Sequence, residues 1–472
     1  MNQEILLKQD EAKAIIEDFI GKTTAQKETR ESTFEKYESF VIDGNQWLEE
    51  DRPEGKKPCL TFNQTQDFIN TYLAKLFPRS MESGVLEIGV KSKEKDKTEK
   101  EKYEKEILET YENNKFSTTI LEQGQNFLVG GSACFYYPQD PTTKKAKIIS
   151  IDPTTVFLGW ASNELEQFAF EDEISLNEAQ KNEKQNWLIE TIKNFISDET
   201  KETKKFKKAK RLTYWDKNFQ IIAIDDNYKI TKNEHDFVPF SWIPNQPKSH
   251  QHEGISEAQK LYSLEKEYNE RASDFAQRVK TNTKPTLAIA TDLATKDLQI
   301  EDIADKGILA LAKGDEAKFL TLTENKELLD YLAGIEKKMA NKMAVNDAIA
   351  GEIKSNVSSL SMVYYFSPLM DRIGLKRIFW DAAFRELNNA ILTYAFGAKN
   401  YRTNPIYEPV LLSDVKTKIE NVTLLLTNDL ISHEDAIDQL RGAENAGEKV
   451  KEILEEKKKF EEAKPQDQMI TL

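Results

Sequence analysis

The chain has 472 residues, too many for one small hydrophobic core, and about two to four domains are expected. With 39% hydrophobic against 31% charged residues, it suits an elongated subunit or one with long exposed helices. A formal charge of −15 excludes a general DNA- or RNA-binding protein, because phosphates select basic surfaces, but leaves room for nucleic acid passing a weakly attractive wall.

Residues 5–40 read as a helix with an early apolar stripe of Ile5, Leu6, Ala12, Ile15, Ile16, Phe19 and Ile20. Acids and bases run through its first turns, unlike a signal peptide, and no apolar run reaches bilayer length. A soluble protein made in a cytoplasm is expected. Asp43-Gly44-Asn45-Gln46-Trp47 follows as a turn carrying an aromatic anchor, and Phe62 to Phe77 reads as a second helix. Val85 to Val90 alternates like a short strand, and the mixed Glu and Lys of 93–112 read as a solvated, salt-bridged helix. Strands are expected at Gly130 to Tyr137, Ala146 to Ile151 and Thr155 to Leu158, then a polar helical region at 174–203. Arg211 to Trp215 and Phe219 to Ile224 form a hairpin-like pair across Asp216-Lys217-Asn218.

The most regular stretch runs from Gly254 to Gly397. Ile255, Ala258, Leu261, Tyr262, Leu264, Tyr268, Ala272, Phe275, Ala276 and Val279 recur at helical spacing, Ser256 and Gln259 open the run as a capping box, and Lys284-Pro285 ends it. Roughly thirty helical residues reach about 45 Å, long for a globular core. An insert of about 40 residues reads as a small α/β knob. It has strands at Thr286 to Ala290 and Gly307 to Leu311, a short helix through Leu298, Ile300 and Ile303, and a further strand at Phe319 to Leu322. A second amphipathic run through Leu328, Leu332, Ile335, Met339 and Met343 leads to Ala350-Gly351, where the pattern dissolves, and a third helix begins near Ser359. Pro405 and Pro409 mark a linker, residues 411–441 resemble two short helices, and Glu448 to Phe460 reads as a charged helix. The expected class is α+β, helix-rich.

Little in this layout carries chemistry. Gly21-Lys22-Thr23 imitates the end of a phosphate-binding loop, but Ile16 stands where that motif needs glycine. His250 and His252 have no neighbouring ligand to complete a metal site, and the chain has four histidines in all. Two cysteines, Cys59 and Cys134, exclude a disulfide framework, and Cys134 among aromatics reads as a buried structural thiol. Asp297, Glu301, Asp302 and Asp305, flanked by Lys296 and Lys306, read as surface helix rather than metal ligands. Lys204 to Arg211 read as the start of a solvent-facing strand whose lysines block edge pairing, with a phosphate-contacting patch as the alternative. No catalytic residue, metal or cofactor is expected.

Three stretches together resemble the portal proteins of tailed bacteriophages, most closely those of short-tailed phages. The first is Gly44-Asn45-Gln46-Trp47, then Arg52, then Lys57-Pro58-Cys59-Leu60-Thr61-Phe62-Asn63, where the usual arginine before the second proline is Lys57. The second is Gly254-Ile255-Ser256 with a long helix carrying Asn269 and Asp274. The third is Asn356-Val357-Ser358-Ser359 leading into a helix with Pro368-Leu369 and Arg377.

The resemblance implies a portal fold: a wing at 1–253, stem helices at 254–283 and 326–350, a clip at 284–325, a tunnel loop at 351–358, a long wing helix at 359–400 and a helical crown at 401–472. It also implies a homo-oligomeric ring of about twelve copies at a capsid vertex of the virion, assembled in the host cytoplasm. Double-stranded DNA would enter through it, driven by a terminase, and leave by the same route. The other expected partners are the major capsid protein and head-tail adaptor or tail proteins, with no membrane. The tunnel loop would face DNA through Gly351, Glu352, Ile353, Lys354, Ser355, Asn356, Val357 and Ser358. Asp297, Gln299, Glu301, Asp302, Asp305 and Lys306 would face terminase or adaptor from the clip. The alternative reading is a soluble helical adaptor or scaffold protein of the virion without a DNA channel.

Overall fold

The computed structural model describes residues 8–47, 58–77, 89–162, 164–175, 186–195, 208–224, 227–249, 251–282, 287–290, 308–311, 326–345, 359–407, 422–428, 430–433 and 436. Contacts divide the chain into two units, Met1–Ala350 with Pro368–Glu408, and Gly351–Ser367 with Pro409–Leu472.

The first unit opens with α1, Gln9–Val41. Glu11 accepts from the Lys8 amide at 3.0 Å and so begins the helix, and Gly21-Lys22-Thr23 lies within it rather than in a loop. After a turn at Gly44, whose φ is +67°, α2 runs Gln64–Leu76. Strand β1 is Gly89–Ser92, and the start of the expected alternation, 85–88, lies outside the described residues. Helix α3, Lys97–Asn113, is capped by Asp96 and buries Tyr103, Ile107 and Tyr111. Its charge is thus confined to one side, with an aromatic seam on the other. Helix α4, Phe116–Val129, was not marked by periodicity, because Gln123 and Gly124 interrupt its buried face. Strands β2 (Ser132–Tyr136), β3 (Ile149–Ser150), β4 (Val156–Ala161) and β5 (Glu164–Ser175) follow, then α5 at Asn186–Phe195. The expected helical region thus begins as strand: residues 174–175 complete β5.

Strands β6 (Lys208–Trp215), β7 (Phe219–Ile224), β8 (Asn227–Lys232) and β9 (Phe240–Pro244) complete the sheets. β4 to β8 make a five-stranded antiparallel sheet in sequence order, and β3-β2-β9 a second of three strands. Alternation along the strands gives the larger sheet two apolar faces. Phe157, Ala169, Tyr214 and Ile221 meet Ala12, Ile16 and Phe19 of α1, while Val156, Leu158, Phe168 and Phe170 meet Cys134, Tyr136 and Phe240. Lys208 and Lys210 point to solvent from a stretch of β6 paired with β5, which β7 does not reach. Lys204 to Lys207, the rest of that basic run, lie outside the described residues.

Next come α6 at Glu257–Asn282, the parallel pair β10 (Leu287–Ala290) and β11 (Ile308–Leu311), and α7 at Lys326–Lys342. The third long helix, α8, is Ser359–Phe396, and β12, Thr403–Ile406, pairs antiparallel with β1. Two expectations change here. α7 stops at Lys342, short of 350, because Ala344 takes a left-handed φ of +51° and the Val345 amide turns back to Ala340 O at 2.9 Å. Pro405, expected in a linker, lies in β12, where a two-stranded sheet has an outer edge that tolerates a residue without N–H. The insert's short helix, its third strand and the 448–460 helix lie outside the described residues.

The main core gathers α2, α4, α6, α7 and α8 around Trp380, whose ring meets Phe77, Phe127 and Phe135 at centroid distances of 4.7–5.8 Å, edge-on. Such contacts add about 0.5–1.5 kcal/mol each beyond burial. In the second unit, Ser359 to Ser367 form the opening turns of α8 with Tyr364 exposed, and 422–427 are helical with Val422 buried.

Candidate functional site

The helical hairpin of α6 and α7 leaves the core from a root built largely of polar atoms. Lys342 Nζ donates to Lys260 O at 3.1 Å and Tyr331 Oη to Glu267 at 3.2 Å, so the two helices run antiparallel. The apolar stripe expected for α6 is only part of its contact surface. The deepest positions are Glu257, Ala258, Leu261, Glu265, Asn269 and Ser273, with Ala272 close behind, while Tyr262, Leu264 and Tyr268 are half-buried.

Those polar side chains tie the helix to the segment before α2. Leu60 N donates to Ser273 Oγ at 2.9 Å, Phe62 N to Asn269 Oδ1 at 3.1 Å, and Gln64 N and Thr65 N to the Glu265 carboxylate at 3.1 and 3.0 Å. The steps of four residues on α6 match alternate residues of an extended chain, so one strand-like segment lies along one helix face. Glu265 thereby satisfies the first amides of α2 from outside that helix. Burial pushes its carboxyl above the ordinary range, against the pull of these donors.

The Gly44-Asn45-Gln46-Trp47 turn locks the same joint. Asn269 Nδ2 donates to Gln46 Oε1 at 2.5 Å, Gln46 Nε2 to Asn63 Oδ1 at 2.7 Å, and Asn63 Nδ2 to Val41 O at 2.8 Å. Asn63 holds a left-handed φ of +52°, which asparagine tolerates better than most residues, and Trp47 Nε1 reaches Leu60 O at 3.2 Å. Asn269→Ala would strand the part-buried Phe62 amide and a buried Gln46 oxygen. A loss of about 2–3 kcal/mol is expected, read by urea unfolding. An unchanged midpoint would mean that water replaces the asparagine at no cost.

Two further features fix where α6 begins. Gly131 and Gly254 cross backbone to backbone, joined through Asn245, whose amide donates to Gly131 O at 2.8 Å and whose carbonyl receives the Ile255 amide at 2.7 Å. Ser256 Oγ accepts from Gln259 N at 3.4 Å, the helix-opening half of the anticipated capping box. Glu257, 1% exposed, then binds Lys376 of α8, Lys260 at 2.9 Å and Asn245 Nδ2 at 3.0 Å. Burial opposes its charge, but the two ammonium groups outweigh it and hold the carboxyl down at about 2. Arg377, the next residue on α8, donates to Leu76 O at 3.2 Å and Lys75 O at 2.8 Å and closes the end of α2.

The structure therefore brings together the first two sequence stretches and Arg377 of the third, with contact partners that periodicity did not reveal. Glu257, Asn245 and Lys376 were missed. The available signal was Lys376 itself, spaced between Leu369, Ile373 and Trp380 on an otherwise apolar helix face. His252 stacks flat on Trp160, centroids 3.9 Å apart, and His250 lies outside the described residues. Cys134 is buried with its thiol pushed up by burial, as an inert structural cysteine should be. The channel residues Gly351, Glu352, Ile353, Lys354, Ser355, Asn356, Val357 and Ser358 lie outside the described residues. So do the clip residues Asp297, Gln299, Glu301, Asp302, Asp305 and Lys306.

A family model described as phage portal protein, SPP1 Gp6-like, matches residues 62–463. The chain belongs to the phage portal protein family. The match spans the polar joint from Phe62 onward, all of the hairpin and α8, and so takes in the second and third stretches that carried the resemblance but only Phe62 and Asn63 of the first; the fold is helix-rich α+β. No curated protein matches the chain. Among the described residues no helix is long and apolar enough to cross a membrane, and no group of His, Cys, Asp and Glu is placed to hold a metal.

Proposed function

We propose that about twelve copies of this portal subunit close head-to-tail into a ring at a capsid vertex, because a heterologous interface whose rotation closes generates a ring. The terminase large subunit drives double-stranded DNA inward through it, and the genome leaves by the same opening once tail proteins are attached. In this reading 1–253 and 359–400 form the wing that meets the major capsid protein, and α6 and α7 are the stem, within 254–283 and 326–350. Residues 284–325 are the clip facing terminase and then the adaptor, 351–358 are the loop nearest DNA, and 401–472 are the crown inside the head.

The observation that carries the proposal is the family match over the hairpin together with the polar joint at its root. A long hairpin held at one end by directional hydrogen bonds keeps a fixed angle to the rest of its subunit, which repeated wedges around an opening require. Charge agrees: twelve copies at −15 give a formal −180, so the wall does not grip a sliding duplex through counterion release. Negative-stain imaging of the purified protein tests the reading. Annular particles with a central hole are expected; discrete compact globules under all conditions would favour an adaptor or scaffold without a channel.

A further inference from the structure

Where α6, α7 and α8 meet, Tyr72, Glu257, Lys260, Lys342, Arg372 and Lys376 line a cavity of about 320 Å³, far larger than a single water needs. Four of these six carry positive charge against one carboxylate, in a chain that is acidic overall. The carboxylate is already engaged, since Glu257 is shared by Lys260 and the fully buried Lys376. The two remaining cations end on main-chain oxygens, Lys342 on Lys260 O and Arg372 on Lys342 O. Among the described residues neither forms an ion pair with a carboxylate. Arg372 also lies against the Tyr72 hydroxyl, which itself donates to Met343 O at 2.6 Å.

We propose that this cavity is a binding site for a phosphate group. Arg372 would offer its planar fork and Lys342 a second donor at the mouth, with Lys260 and Lys376 supplying charge from the wall. Like charges brought together in a partly desolvated recess repel one another unless an anion joins them. The state of Lys376 is in keeping with that shortage. Burial, with Lys260 and Arg372 nearby, pulls it down to about 8 in spite of Glu257. The group could be free inorganic phosphate or a backbone phosphate of DNA. The site is complete within one subunit, so it stands or falls independently of ring closure.

The test is calorimetric titration of the full-length protein with inorganic phosphate at low ionic strength, in wild type and in the Lys342→Gln/Arg372→Gln double variant. Among the described residues both hydrogen-bond to main-chain oxygens, and Arg372 also to Tyr72, so the variant should fold, which its thermal unfolding checks. Saturable binding is expected in wild type and a loss of about tenfold or more in the variant. Arg372→Lys alone should retain part of it. A parallel titration with a short DNA duplex separates the sources. Duplex binding weakened by the double variant and competed by phosphate identifies a backbone phosphate; duplex binding untouched while phosphate binding falls identifies the free anion. Phosphate that fails to saturate wild type, or binds both proteins alike, overturns the proposal.

Discussion

Gly254→Ala is expected to leave almost no folded, soluble protein. A Cβ on residue 254 would stand 1.8 Å from Gly131 O and 2.3 Å from Asn245 N, and both are backbone atoms that cannot rotate away. The neighbouring chain has no slack, because Gly131 has φ +97° and its own Cβ would meet the Gly254 carbonyl at 2.9 Å. Relief would require separating the start of β2 from the start of α6, with loss of the Asn245 and Ile255 amide bonds between them. A cost above about 4 kcal/mol follows, in the range reserved for severe core disruption. Soluble yield and thermal unfolding measure it, and Gly374→Ala on the same chain is the control. Residue 374 is helical with open space around it, and alanine there should stabilise by up to about 1 kcal/mol. Equal behaviour of the two variants would sink the argument.

The second large effect is expected at Lys376. Lys376→Met leaves Glu257 buried with Lys260 as its one remaining cation, and a loss of about 3 kcal/mol is expected. The double change Lys376→Met with Glu257→Gln should regain much of it, since an uncompensated charge rather than a missing contact causes the damage. Acidity supplies an independent reading. The Glu257 carboxyl is held at about 2, so its contribution is fully present above the ordinary carboxylate range and is lost as pH falls from about 4.5 towards 2. Lys376 works in the opposite sense. Its ammonium form is disfavoured in the folded chain, so that penalty acts below about 8 and is relieved between there and the ordinary lysine value. Urea unfolding at a series of pH values should therefore show an acid limb in wild type that is smaller in Lys376→Met. An acid limb of equal size in both would remove the pair from the account.

The long helices were legible because their apolar residues recur at helical spacing over many turns, and Lys326–Lys342 and Ser359–Phe396 begin where the pattern begins. Fully buried strands were harder: Ser132–Tyr136 was marked by the glycine turn before it, but its partner strand β9 was not. Phe240–Pro244 is buried at nearly every position and shows no alternation to read. The joint at the root of the hairpin was half legible. Gly44, Gln46, Asn63 and Asn269 stood out as residue types, but the bonds that Asn269 makes to Phe62 and Gln46 close over some two hundred residues of sequence. Nothing in a linear pattern pairs such positions. The cavity was hidden for the same reason, since its cations come from α6, α7 and α8 and converge only in space.

Ser273 takes the Leu60 amide nine residues before α6 ends at Asn282, so about 13 Å of helix lies past that bond. A sideways load at that end acts on a lever whose fulcrum is a ladder of bonds rather than a single hinge. The rung at Leu60 lies nearest that end, with those at Phe62 and Gln64 behind it. Such a mounting shares a load among several bonds instead of placing it on one.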